Sequence, residues 1–199
     1  MPDVIEAVRP AAGGKPLFWT DFGLSGGDRR VRSKNKEERT MRNLINLNRD
    51  WRFIKEDAGL PEHLPESWEK IDLPHSWNAV DGQDGNGSYA RQKCWYARSF
   101  ETPVQPLGGG RVYVEVLAAG QQASVYVNGR EAIYHEGGYS AFSADVTDLC
   151  KEDGENLLVI ACSNESKSNV YPQAADFTFY GGLYRGVNLI SVPEVHFDL

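Results

Sequence analysis

Cysteine is scarce in this sequence and poorly spaced for chemistry. The chain of 199 residues holds three, Cys94, Cys150 and Cys162, an odd number with no CxxC pair. Neither a disulfide framework nor a zinc knuckle is therefore expected. His63, His135 and His196 are not spaced as ligands with one another or with those cysteines, so no metal site is proposed. Long apolar runs are missing too: none approaches the roughly 20 residues of a membrane span. The N-terminus lacks the charged and apolar blocks of a secretory signal. Free thiols without an export signal point to the cytoplasm. Positive charge is short as well. The 21 Lys and Arg are outnumbered by 28 Asp and Glu, for a net charge of −7. Basic residues gather only near Arg29–Arg42, which speaks against a nucleic-acid surface. No Walker or dinucleotide fingerprint occurs. Gly108-Gly109-Gly110 precedes a strand pattern rather than a helix, so no phosphate is cradled there and no cofactor is expected. Helix signals are few: Leu60–Trp68 carries two prolines and no 3.6-residue stripe, and Asp145–Leu149 is long enough for one turn.

What the chain does have is rings and glycine. Its 5 Trp, 9 Tyr, 8 Phe and 20 Gly favour short strands separated by turns. A chain of this length buries enough surface to fold without a staple. Arg111–Leu117 places Val112, Val114 and Val116 on one face, with Tyr113 and Glu115 on the other. Gln122–Asn128 repeats the pattern with Ala123, Val125 and Val127. Such alternation predicts half-buried strands. Asn128-Gly129 then predicts a tight hairpin, with Arg130–His135 as the return strand. Leu157–Cys162 is a continuous apolar run suited to an inner strand, and Val187–Val192 and Val195–Leu199 are expected to close the chain. Short strands about ten residues apart indicate an all-β sandwich or jelly roll.

Residues 1–40 differ. Their polar, charged stretch 23–40 is too poor in apolar residues to bury a face. We expect 1–40 to be a poorly ordered leader and 41–199 to be the domain, with Met41 as a candidate start.

Four segments carry a family likeness: LNRDWRF at 47–53, LPHSWNAVDGQDGNGSYARQKCWY at 73–96, VYVNGREAIYHEGGYSAFSADVTDL at 125–149 followed by GENLLVI, and DFTFYGGLYRGVNLI at 176–190. Together, in this order, they resemble the sugar-binding domain that opens family 2 glycoside hydrolases of the β-galactosidase kind. The resemblance implies a jelly-roll β-sandwich of the galactose-binding-domain type. In the full-length family an immunoglobulin-like domain and a catalytic TIM barrel follow. A barrel needs about 250 residues, so the resemblance implies that catalysis lies outside this chain and that the fragment alone is inactive. The implied partners are a β-linked sugar, most simply a galactoside, and the remaining domains of the same enzyme.

The resemblance also implies site residues. The Asp opening the fourth motif, Asp176, would contact hydroxyls of the terminal sugar; the other reading is a strand-end Asp capping a turn. In the loop Trp77–Arg91, Asp81, Asp84 and Arg91 stand among glycines that let backbone approach a ligand, and Trp77, Tyr89 and Trp95 are candidates for an aromatic face. A solvated turn reads equally well, since Asp and Gly dominate turns. Ala90, Gln92 and Gly186 depart from the family wording. An exposed aromatic patch is expected near Asp176 and Trp77, while Gly181-Gly182 and His75 are expected to serve structure. Two other readings stay open: a freestanding carbohydrate-binding module, and a purely structural domain that packs on the barrel.

Overall fold

Valines at every second position of 112–116 become one wall of the core. Val112, Val114 and Val116 are buried, while Tyr113 and Glu115 between them are only partly so, because successive side chains of a pleated strand point to opposite faces. The computed structural model describes residues 42–85, 88–103, 109–172 and 174–197. The expected leader, Met41, Gly87, Gly108 and Leu199 lie outside the described residues. Two antiparallel sheets face one another. One runs β1 (Asn43–Asn46), β10 (Val187–Pro193), β5 (Gly110–Val116), β8 (Phe142–Asp145) across its width. The other runs β3 (Glu69–Ile71), β2 (Trp51–Ile54), β4 (Lys93–Glu101), β9 (Glu155–Ser163), β6 (Gln122–Val127), β7 (Arg130–Glu136). Among the described residues there is no α-helix, and Thr147–Leu149 makes a single 3-10 turn. The architecture is an all-β, jelly-roll sandwich.

The hairpin signal reads true. Asn128 and Gly129 take φ of 51° and 80°, both positive as a type I′ turn requires, and Val127 pairs directly with Arg130. Asn128 does more than turn the chain. Its Nδ2 donates to Leu149 O and to Asn156 Oδ1, each at 2.8 Å, and its Oδ1 accepts from Leu157 N at 3.0 Å.

Strands β4 and β9 pair along their whole length at the centre of the larger sheet. Both are buried on both faces. Cys94, Tyr96 and Phe100 enter the core between the sheets, while Trp95, Ala97, Val159 and Ala161 form a second cluster outside, covered by Leu64 and Trp68. The proline-bearing stretch 60–68 is thus an irregular cover. Cys94 and Cys162 sit opposite one another as buried free thiols. Burial pushes the Cys94 thiol from 9.0 up to about 11, and Cys162 higher still.

One expected strand is absent. After Pro193 the chain leaves the sheet, with His196 Nδ1 donating to Pro193 O at 2.7 Å and with Val195 and Phe197 89% and 95% exposed. The strand read over Val195–Leu199 does not form across 195–197, because an apolar run without a neighbouring strand cannot satisfy its backbone as sheet.

The connections β3–β4, β5–β6, β7–β8 and β9–β10 converge at one end of the sandwich. Backbone bonds link them: Gly120 N to Gly182 O at 2.8 Å, Gly137 N to Gln121 O at 2.9 Å and His75 N to Leu183 O at 2.9 Å.

Candidate functional site

Two loops meet at that end, residues 72–92 before β4 and residues 164–186 before β10. Thr178 Oγ1 donates to Gly82 O at 3.2 Å, Phe179 N to the Tyr89 hydroxyl at 3.1 Å and Gln83 Nε2 to the Tyr180 hydroxyl at 3.1 Å. The segment that Asp176 opens is therefore stitched to the 77–91 loop.

Two fully buried amides hold the junction. Asn164 Nδ2 lies within bonding distance of Asn78 Oδ1, Ala90 O and Phe179 O, at 3.1, 3.0 and 2.9 Å, and Asn164 Oδ1 accepts from Gln92 N at 2.9 Å. Asn78 Oδ1 also accepts from Gly181 N at 2.8 Å, and its Nδ2 donates to Asp81 Oδ1 at 2.9 Å and Ala90 O at 3.0 Å. A buried amide is tolerated only when its groups are paired. Sequence reading passed over both residues because Asn is also an ordinary turn former. The available signal was position: Asn78 ends the PHSWN stretch, and Asn164 follows the apolar run of β9.

Trp77 corrects an expectation. It is not an exposed ring but lies in the core, 6% exposed. Its indole runs parallel to Phe53, with centroids 6.4 Å apart, and its Nε1 donates to Ala90 O at 3.3 Å. Gly181 rests on it, and a Cβ there would fall 1.9 Å from the ring. The paired glycines thus serve close approach as much as bending: Gly182, at φ +122°, would place a Cβ 2.4 Å from His75 O. Burying so large an apolar surface outweighs leaving it open at a loop tip. Trp95 is also buried, with its Nε1 donating to Asp57 at 2.7 Å.

The remaining candidates divide. Asp81 turns inward: its Oδ1 accepts from Asn78, its Oδ2 accepts from Ala90 N at 3.0 Å and lies 3.7 Å from Lys55 Nζ. Burial raises its pKa, but the Ala90 amide, Asn78 and Lys55 together outweigh that and hold it below the ordinary carboxylate value. Arg91 also supports the loop. Its Nε donates to Asn164 O at 2.9 Å, its guanidinium stacks 4.9 Å over Phe179, and its Nη2 is buried without a partner among the described residues. Asp84 and Asp176 are exposed, and Asp176 makes no hydrogen bond or ion pair among the described residues. His75 is structural in its contacts, with Nδ1 2.9 Å from the Tyr96 hydroxyl and its pKa lowered by burial.

Beside the 177–180 segment opens a cavity of about 530 Å³, walled by Tyr139, Phe177, Phe179, Tyr180 and Tyr184. Ser76, Gln83, Gln121 and Thr178 add polar groups, and among the described residues no charged side chain lines it. Tyr139 and Phe177 are 51% and 49% exposed. The Tyr184 hydroxyl is buried without a partner among the described residues, and burial pushes its pKa up to about 12. The exposed aromatic patch expected near Asp176 and Trp77 does not form as read, because Trp77 is packed inside; the exposed rings at this cavity are Tyr139 and Phe177. Among the described residues no group of His, Cys, Asp and Glu is arranged to hold a metal ion, and no helix is long and apolar enough to cross a membrane.

The geometry can be set beside known proteins. Residues 79–193 match the family model for the sugar binding domain of glycosyl hydrolases family 2. The crystal structure of an FMN-binding β-glucuronidase from Facaelibacterium prausnitzii L2-6 is 58% identical, with a TM-score of 0.72 over 80% of this chain and 24% of that one. A β-glucuronidase of Bacteroides fragilis is 32% identical over 76% of this chain and 21% of its own length. A β-galactosidase of Thermoanaerobacter pseudethanolicus is 29% identical over 78% of this chain and 22% of its own length. The chain therefore spans about a fifth of the length of the curated relatives it matches.

Proposed function

The chain belongs to glycoside hydrolase family 2, whose sugar-binding domain it carries, and from that premise we propose that it forms one wall of the sugar site of a retaining β-glycosidase. Asp176 is the residue we assign to the hydroxyls of the terminal sugar, because a carboxylate accepts paired hydroxyl hydrogen bonds strongly. One observation carries this reading: Asp176 is exposed, its oxygens are uncommitted among the described residues, and the residues right after it are pinned to the 77–91 loop. Asp84 is a second outward-facing candidate on that loop. Asp81, Arg91 and Trp77 we read as the frame that holds both. Bond cleavage in a retaining enzyme needs two carboxyl groups about 5–5.5 Å apart, and we assign these to the other domains of the parent enzyme.

The parent's sugar follows from its relatives more than from the loop. The 58% identical structure is a β-glucuronidase, so we read a β-glucuronide as the first substrate and a β-galactoside, suggested by the DGQDG loop, as the second. Free thiols at all three cysteines support a cytoplasmic setting.

The test is a graft in which residues 42–197 replace their counterpart in the F. prausnitzii enzyme. Asp176→Ala in the graft is expected to lower kcat/KM on a β-glucuronide by about 100-fold with an unchanged melting temperature. Unchanged kinetics would remove Asp176 from the sugar site.

A further inference from the structure

The geometry of the cavity beside Asp176 goes further than a sugar contact. We infer that it receives a planar, uncharged aromatic group, the aryl part of an aryl glycoside, while the sugar sits outside at Asp176. The assignment to the leaving group rests on the sugar-site reading above.

A pyranose presents a hydroxyl on nearly every ring carbon, and each needs a partner when buried. Its polar side chains are Ser76, Gln83, Gln121, Thr178, Tyr139, Tyr180 and Tyr184, but Ser76 is spent on Gly181 O, Thr178 on Gly82 O, and Gln83 and Tyr180 on each other, so few are left for a ring of hydroxyls. Among the described residues no cationic side chain lines it to pair with a uronate, and no anionic one to pair with an amine. A neutral aromatic plane matches that inventory in charge and shape, because aromatic groups gain from stacked and tilted ring contacts. Phe177 and Phe179 already form a tilted pair, with centroids 5.2 Å apart at 49°. The volume of about 530 Å³ falls within the range of roughly 300–1,000 Å³ that small-molecule pockets occupy.

Two further observations narrow the occupant. Tyr184 lines the cavity, and its buried hydroxyl has no partner among the described residues. An unmade buried hydrogen bond is costly, so an occupant bearing a phenolic or ether oxygen is preferred to a bare hydrocarbon. The cavity also begins where the sugar contact ends. Phe177 lines the cavity and directly follows Asp176 in the chain, with Cα atoms about 3.8 Å apart.

The experiment titrates the 199-residue chain with 2-naphthol and with cyclohexanol, followed by NMR chemical shifts. Naphthol is expected to saturate and cyclohexanol to bind at least about tenfold more weakly. Phe177→Ala, at a half-exposed position, should weaken naphthol about tenfold, and Tyr184→Phe, which keeps the ring, about fivefold. In the graft, naphthol should inhibit hydrolysis and Phe177→Ala should relieve the inhibition. Absence of saturation, equal affinity for cyclohexanol, or naphthol affinity untouched by Phe177→Ala overturns the inference. Naphthol that binds the chain yet leaves the graft uninhibited overturns it too, since something else then fills the cavity. Asp176→Ala should not change naphthol affinity. Failure of the sugar reading therefore shows in the kinetics of that variant, and failure of the aryl site shows in the titration.

Discussion

Asn164 carries no charge and faces no solvent, yet its one amide joins three stretches of chain: the neck of the 77–91 loop, the start of β4 and the 179–181 segment. Its value lies in what would be stranded without it. Asn164→Leu, similar in volume, leaves Ala90 O, Phe179 O and Gln92 N with fewer partners, and the cost is expected to be about 3 kcal/mol. Urea unfolding checks this; a loss below about 1 kcal/mol would mean that the other bonds of the loop suffice. At this scale the sequence was readable in kind but not in direction. Asp81, Arg91 and Trp77 are residue types that bind sugars, and Asp81 and Arg91 are types that also close loops. Only placement separates the two uses: Asp81 closes on Ala90 N, Trp77 lies beneath Gly181, and Asp176 keeps its oxygens outward.

Among elements, legibility follows burial. Strands β5 and β6 bury one face each, so their alternation could be read at once, and the turn after β6 was legible because Asn128-Gly129 must take positive φ. Strand β4 was not legible as a strand. Both its faces are covered, one by the main core and the other by Leu64 and Trp68, so its residues show no period of two. Strand β1 was obscure for the opposite reason, being exposed along its length at the sheet edge. The hairpin gives a clean prediction. Asn128→Gly retains the turn conformation but loses the bonds to Leu149, Asn156 and Leu157. We expect a destabilisation of about 2 kcal/mol, whereas a pure turn residue would lose only a few tenths. Thermal unfolding of the variant decides between them.

For the whole molecule, titration brackets the stable range. His75 is held below its ordinary 6.5 by burial, so the unfolded chain takes up a proton there first, and stability falls as the pH drops below that value. Carboxylates act further down. Asp57, bonded by the Trp95 indole, Glu136, bonded by the Tyr134 hydroxyl, and Asp145, where burial is outweighed by Thr147 and Arg111, are all held below their ordinary values. What they contribute is present above their unfolded pKa and is lost as pH falls through the folded one. At the alkaline end the sign reverses. Cys94 and Cys150 keep their protons to about 11, while the unfolded thiols ionise near 9.0, so unfolding releases protons and stability declines from there upward. Calorimetry should show a plateau between these limits and a fall on either side, with the alkaline fall reduced in Cys94→Ala. A melting temperature that stays level from pH 9 to 11 would contradict the buried thiols. The neck of the 77–91 loop has a consequence of another sort. Asp81 Oδ2 grips Ala90 N, so the two feet of the arch close on each other like the root of a handle on a vessel. Substitutions between those feet can therefore change what the handle presents while the vessel itself is left intact.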